Sequence, residues 1–237
     1  VTDRVALVTG AAKRLGRRLA EDLAAGGARV VVNYRSSRAA AEDVVAGITA
    51  RGGRARALRC DVGDSADVEA MFRSVAEVEG RLDVLVNNVG NYAPKPLLEL
   101  DTAQWDATLQ ANLSGPFYCS RAAWPLMRDG GAIVNIGYAG VDAITADPDA
   151  TDYEVSKTGL LVLTKSLAVA LGPRGIRVNM VSPGQLANSV DLPNDLAVAI
   201  PAGRAGTLDD MSAAVAFLLA NEYVTGQNID VAGGYRL

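Results

Sequence analysis

The stretch VALVTGAAKRLGRRLAEDLAAGGARVVVNYRSS, Val5 to Ser37, decides the fold. Val5 to Thr9 and Arg29 to Asn33 are short β-branched runs, apolar on consecutive positions, as strands buried on both faces should be. Between them Leu15, Leu19 and Leu23 recur at four-residue spacing, which puts them on one helix face. Strand, helix, strand within some thirty residues is a βαβ unit. Its first turn, TGAAKRLG at Thr9 to Gly16, is glycine-rich. Gly10 permits a tight turn, Ala11 and Ala12 let a ligand approach the backbone, and Gly16 suits close helix–strand packing. The helix that follows aims its N-terminus at the turn, where N–H groups and the dipole favour a pyrophosphate. Placed right after a first strand, the turn predicts a dinucleotide site.

The same alternation continues along the chain. Ala55 to Arg59, Val84 to Asn87, Ala132 to Ile136, Arg177 to Ser182 and Asn228 to Val231 read as further strands. Ser37 to Ala50, Ser65 to Glu79, Ser114 to Met127, Tyr153 to Leu171 and Leu208 to Leu219 read as helices. The expectation is an α/β fold, a doubly wound (Rossmann) and mostly parallel seven-stranded sheet with helices on both faces. Residues 1–237 are read as one domain, with no repeat or linker. Gly140 to Asp152 and Gln185 to Gly206 are long irregular stretches of the kind that carry function.

Composition narrows the chemistry. The chain has no histidine, which excludes a Ser-His-Asp triad and a His–Zn site, and no metal site is expected. Proton transfer must then use Tyr, Lys, Cys or carboxylates. Lys plus Arg is 23 against 27 for Asp plus Glu, so nothing points to nucleic acid or an anionic membrane. The longest apolar stretch, Gly159 to Leu171, is interrupted by Lys165, and no membrane span is expected. Cys60 and Cys119 fit free thiols in a reducing cytoplasm.

The residues after the second strand choose the cofactor. An NAD site places Asp or Glu there. Here the run is Asn33, Tyr34, Arg35, Ser36, Ser37, with no acid until Glu42. Arg35 can pair with a 2′-phosphate, Ser36 or Ser37 can donate to it, and Lys13 and Arg14 add charge nearby. The reading is NADPH.

These features, taken with the CDV at Cys60 to Val62, NNVG at Asn87 to Gly90, Asn112, YEVSK at Tyr153 to Lys157, PG at Pro183 and Gly184, and TGQNIDVAGG near the end, resemble the short-chain dehydrogenase/reductase family. The likeness covers nearly the whole chain, with the motifs in family order. QWDATLQANLSGPF and TGAAKRLGR are similar to pteridine reductases, and NYRSS and the last strand to ketoacyl reductases. The resemblance implies that Gly10, Lys13, Arg14, Leu15, Gly16, Tyr34, Arg35 and Ser36 hold the cofactor. It adds Asp61 and Val62 beside the adenine and Asn87, Asn88 and Gly90 on the adenosine side. Pro183, Gly184 and Leu186 would lie near the nicotinamide, with Lys157 on its ribose and Asn188 near its amide. Asn112 would support a proton relay through water. A homotetramer or homodimer is also implied.

The catalytic pair can be argued from chemistry. Tyr153 and Lys157 are four apart and share a helix face. A phenol has a pKa of roughly 10. A neighbouring ammonium favours the phenolate and makes Tyr153 a usable proton donor.

The family normally carries a Ser about thirteen residues before that Tyr. Counting back reaches Gly140, whereas aligning the strand IVNIGYAG puts Tyr138 there. No Ser occurs between Ser120 and Ser156. Three readings follow. Tyr138 supplies a substitute hydroxyl, or shapes the pocket as an aromatic wall. Asp142, Thr145 or Asp152 folds back from an inserted loop. Or nothing replaces the Ser, and the substrate is an imine or iminium that needs less polarisation. Val190, Leu192, Leu196, Val198 and Ile200 give Ser189 to Pro201 an apolar side that could cover a largely apolar small-molecule substrate. The expected function is an NADPH-dependent reductase of a carbonyl or C=N group. The alternative is a non-redox cyclase, isomerase or NADPH-sensing protein.

Overall fold

The computed structural model describes residues 4–189, 192 and 195–235. Seven parallel strands form one sheet in the order β3-β2-β1-β4-β5-β6-β7. They are β1 (Val5–Val8), β2 (Arg29–Tyr34), β3 (Arg54–Arg59), β4 (Leu82–Asn87), β5 (Met127–Ile136), β6 (Arg177–Pro183) and β7 (Asn228–Val231). The helices are α1 (Arg14–Ala25), α2 (Arg38–Ala50), α3 (Ser65–Glu79), α4 (Thr102–Leu109), α5 (Gly115–Ala123), α6 (Thr151–Leu171), α7 (Leu196–Ala199) and α8 (Leu208–Ala220).

Alternation along β1 explains the two-sided core. Ala6 and Val8 pack with Leu19, Val32, Met211 and Leu218 on one face. Val5 and Leu7 pack with Met71, Phe72, Cys119 and Ile176 on the other. The strand order reverses between β1 and β4, and such a switch point opens a crevice at the carboxyl ends of the strands. Val8 lies opposite both Val32 and Val86, so Thr9, Asn33 and Asn87 emerge at one rim.

Some boundaries differ from the expectation. The helix expected over Ser114 to Met127 is broken by Pro125 into α5 and a tight turn at Trp124–Leu126, and β5 starts at Met127. α4 has no expected counterpart, because its apolar periodicity is weak. A five-residue π turn, Gln110–Ser114, joins it to α5. The segment Thr151–Arg174 is long and apolar enough to cross a membrane by length and composition, contrary to the reading of Gly159 to Leu171. Its Leu160, Leu161, Thr164, Ala168 and Leu171 are buried and it packs along β6, as a core helix does. Cys60 and Cys119 are both free and buried.

Candidate active site

The glycine turn is built for a close-lying ligand. Gly10 takes a φ of 61°, and a Cβ there would meet Val89 at 3.0 Å. A Cβ at Gly16 would lie 2.5 Å from both Asn88 Nδ2 and the Gly10 carbonyl oxygen. Buried Asn33 holds the turn by accepting from Gly10 N at 3.1 Å. Thr9 Oγ1 accepts from Asn88 N at 2.9 Å and Val89 N at 3.2 Å. The Lys13 side chain does not cap α1, so the helix's leading N–H groups face the crevice without a side-chain partner from that residue. Arg14 adopts a φ of 51°, a left-handed conformation more usual for glycine.

From this turn a cleft of about 540 Å³ runs to the start of α6. Gly10, Lys13, Arg14, Leu15, Gly16, Asn88, Gly90, Pro183, Gly184, Leu186 and Asn188 line it, as expected. Asn87 does not. Its amide turns inward, donating to Asn135 Oδ1 at 2.8 Å and Ser120 Oγ at 3.3 Å. Tyr34, Arg35, Ser36 and Asp61 sit farther along the rim, at the ends of β2 and β3. Arg35 pairs loosely with Asp61 at 3.6 Å, and Val62 is buried against Gly115.

At the other end, Tyr153 lines the cleft from the first turn of α6. Lys157, one turn on, is buried with its Nζ 5.8 Å from the Tyr153 ring centroid. That Nζ donates to the Ile136 carbonyl oxygen at 2.7 Å. Burial pushes the ammonium's pKa down from 10.5 to about 8. Gly90 leaves room beside it, since a Cβ there would stand 3.4 Å from Nζ. Asn112 is buried in the π turn. Its Oδ1 accepts from Asn91 N at 2.6 Å, and its Nδ2 donates to the Asn91 carbonyl oxygen at 2.9 Å and to Ser156 Oγ at 3.0 Å. Both amide hydrogens are thus used as a clamp within the protein, so a relay water could take only a remaining lone pair of Oδ1.

Two positions compete for the place of the family Ser. A Cβ on Gly137 would fall 2.3 Å from Ser182 Oγ and 2.6 Å from Met180 Sδ, so a larger residue there would have to displace those side chains. Tyr138 is the next residue. It lines the cleft with its ring centroid 5.6 Å from that of Tyr153. Gly140 lies farther on and borders, together with Thr145, an adjoining cavity of about 420 Å³ that shares Asp147 and Glu154 with the cleft. Of the two positions, Tyr138 lines the cleft and Gly140 does not. The loop candidates are elsewhere. Asp142 faces Asn228 Nδ2 at 3.5 Å, and Asp152 is buried behind α6.

Sequence reasoning missed Tyr92, Asp147, Glu154 and Tyr235, which also line the cleft. Tyr92 sets its ring edge-on to Tyr153 at 4.9 Å. The only hint was proximity, since Tyr92 follows NNVG by two residues and Glu154 follows Tyr153. The expected apolar cover is not a single face. Ile200 is buried whereas Val198 is exposed, and Val190 lies outside the described residues.

Comparison with known proteins places this geometry. Residues 10–236 match the family described as enoyl-(acyl carrier protein) reductase. The 3-oxoacyl-[acyl-carrier-protein] reductase FabG of Staphylococcus aureus is 38% identical over 239 residues, covering 97% of this chain and 96% of the relative. A short chain dehydrogenase from Burkholderia cenocepacia, solved in complex with NADP, is 35% identical with a TM-score of 0.92 over 98% of each chain. A blue fluorescent protein from a metagenomic library, solved in complex with NADPH, is also 35% identical, with a TM-score of 0.92 over 100% of this chain and 99% of the other. With the glycine turn, the Tyr153 and Lys157 pair and this breadth of likeness in hand, the chain belongs to the short-chain dehydrogenase/reductase family.

Proposed function

We propose that this chain is an NADPH-dependent reductase that delivers hydride to a carbonyl carbon while Tyr153 protonates the oxygen. The observation that carries the reading is Tyr153 at the cleft wall, beside the Tyr138 ring, with buried Lys157 behind. Gly10 and Gly16 give the backbone room against a pyrophosphate, and Lys13, Arg14 and Arg35 supply cations for the phosphates. NADPH, when bound, supplies the hydride. Lys157 in its ammonium form stabilises the Tyr153 phenolate left after proton transfer. Tyr138 lines the cleft with its ring as an aromatic wall while its hydroxyl is buried, so the Tyr153 and Lys157 pair alone carries the redox reading. Asn112 holds Asn91 and α6 in register around the pair.

A short 3-oxoacyl thioester is the first substrate to try, because the S. aureus relative is named for that chemistry. A second reading, reduction of a cationic C=N group, is favoured by Asp147 and Glu154 on the same cleft wall. Homotetramer or homodimer assembly in the cytoplasm accompanies either reading. An outward stripe of Val155, Val162 and Val169 on α6, with Phe117 on α5, offers an apolar face for a second copy.

The test uses NADPH deuterated at the transferable position, with the thioester and a cyclic imine as competing acceptors. Label in the alcohol supports the first reading, label in the amine the second, and label in neither product overturns both. Tyr153→Phe should lose roughly 10²–10⁴ in turnover.

A further inference from the structure

Tyr153 sits in the first turn of α6, where N–H groups lack a carbonyl four residues back. The residue before this helix, Ala150, caps nothing with its side chain, and the loop leading in is irregular from Gly137. A helix end of this kind frays unless something holds it. On the cleft side Asp147 N donates to Glu154 Oε2 at 3.0 Å and Thr151 Oγ1 donates to the Asp147 carbonyl oxygen at 3.2 Å, and Asp152 holds the same turn from the α4 side. It is buried, with Oδ1 accepting from Tyr153 N at 2.9 Å and Oδ2 accepting from Thr108 Oγ1 at 2.7 Å. Thr108 is equally buried, at the end of α4.

One turn along, Asn112 Nδ2 donates to Ser156 Oγ, and that hydroxyl donates to the Tyr153 carbonyl oxygen at 2.7 Å. Thr108 and Asn112 are four apart, and so are Asp152 and Ser156. Two buried polar rungs therefore join the α4–π segment to α6, one on each side of Tyr153 in sequence. The carboxylate also lies at the positive end of the α6 dipole, which favours its charge.

We infer that Thr108 and Asp152 are positioning residues for Tyr153, a side-chain clamp on the α4 side of the helix start that fixes where the phenol points. The inference rests on the reading of Tyr153 as proton donor. Misplacing a reacting group by about 1 Å can cost roughly 100-fold in rate. A lost clamp should therefore lower kcat while leaving the distant glycine turn intact.

The experiment compares Thr108→Val, which keeps the shape and removes the donor, with Thr108→Ser, which keeps the donor. In the NADPH-bound chain, Thr108→Val should lower kcat by about 10- to 100-fold. NADPH affinity, read from cofactor fluorescence, should stay within about twofold. Thr108→Ser should restore turnover. Amide hydrogen exchange of the segment around Tyr153 should speed up about tenfold in the valine variant and return with serine. Thr108→Ala replaces the valine variant if that one does not fold. Wild-type kcat and exchange in Thr108→Val would overturn the clamp. So would failure of serine to rescue, or a parallel loss of NADPH binding. The exchange measurement needs no substrate, so it tests the clamp even if the carbonyl reading fails.

Discussion

Replacing Lys157 with methionine should separate stability from turnover. Methionine matches the length of the lysine stem but carries no charge. In the unfolded chain Lys157 keeps its proton up to about 10.5, and in the fold burial brings that down to about 8. Below pH 8 the fold therefore bears the full cost of a buried ammonium, about 3 kcal/mol. Between about 8 and 10.5 the unfolded chain binds more protons, so the wild type gains stability as pH rises. Methionine escapes this cost but leaves the Ile136 carbonyl oxygen without its donor, a loss of about 1–3 kcal/mol. The two terms nearly offset at neutral pH, so Lys157→Met should be between unchanged and about 2 kcal/mol more stable, or up to about 4–8 °C in Tm. The sharper signature is the pH dependence. From about pH 7 to about pH 9 the wild type should gain about 1 kcal/mol relative to the variant. Urea unfolding of the cofactor-free chain at both pH values measures this, while NADPH consumption should fall by roughly 10²–10⁴. A variant more than about 2 kcal/mol less stable at neutral pH, or a wild type that gains nothing relative to it between about pH 7 and pH 9, would refute the reasoning.

Tyr138→Phe keeps the aromatic wall and removes a buried hydroxyl, so kcat for a ketone should stay within about twofold, whereas a drop of about 10²–10³-fold would give that hydroxyl the role of the family Ser. Arg14→Gly should relieve a left-handed non-glycine conformation and raise stability by about 0.5–1 kcal/mol in thermal unfolding, while weakening NADPH binding through the lost cation. Val162→Glu places a charge in the exposed α6 stripe; light scattering should show a smaller particle than wild type, and an unchanged mass would mean that this stripe is not the interface.

The inner strands of the sheet were legible because they are buried on both faces and so are written largely as apolar runs, whereas the edge strands β3 and β7 are only partly buried. Val5–Val8 and Leu82–Asn87 are inner examples, buried at every position. The glycine turn was legible because only glycine fits at Gly10 and Gly16, and the catalytic helix because Tyr153 and Lys157 share a face. α4 left little trace, since Thr102–Leu109 buries only Thr108 and hence has no apolar period. That same residue shows why the loop chemistry was not legible. Asp152 read from sequence as one of three acids or hydroxyls able to reach the substrate, because its order in the chain says nothing of which side of α6 it takes. What turns it away is a hydroxyl 44 residues earlier, on a helix that periodicity did not reveal. The Ser question had the same form: two alignments differed by two residues, and it took the fold to show that Tyr138 lines the cleft while Gly140 does not. The missing Ser and the buried Asp152 therefore bear on one problem. Tyr138 brings its ring to the cleft with the hydroxyl buried, and the ring beside it, that of Tyr153, stands on a helix start with no cap from Ala150. A site so arranged depends on the back of α6 being held still, and there Thr108 and Asp152 meet.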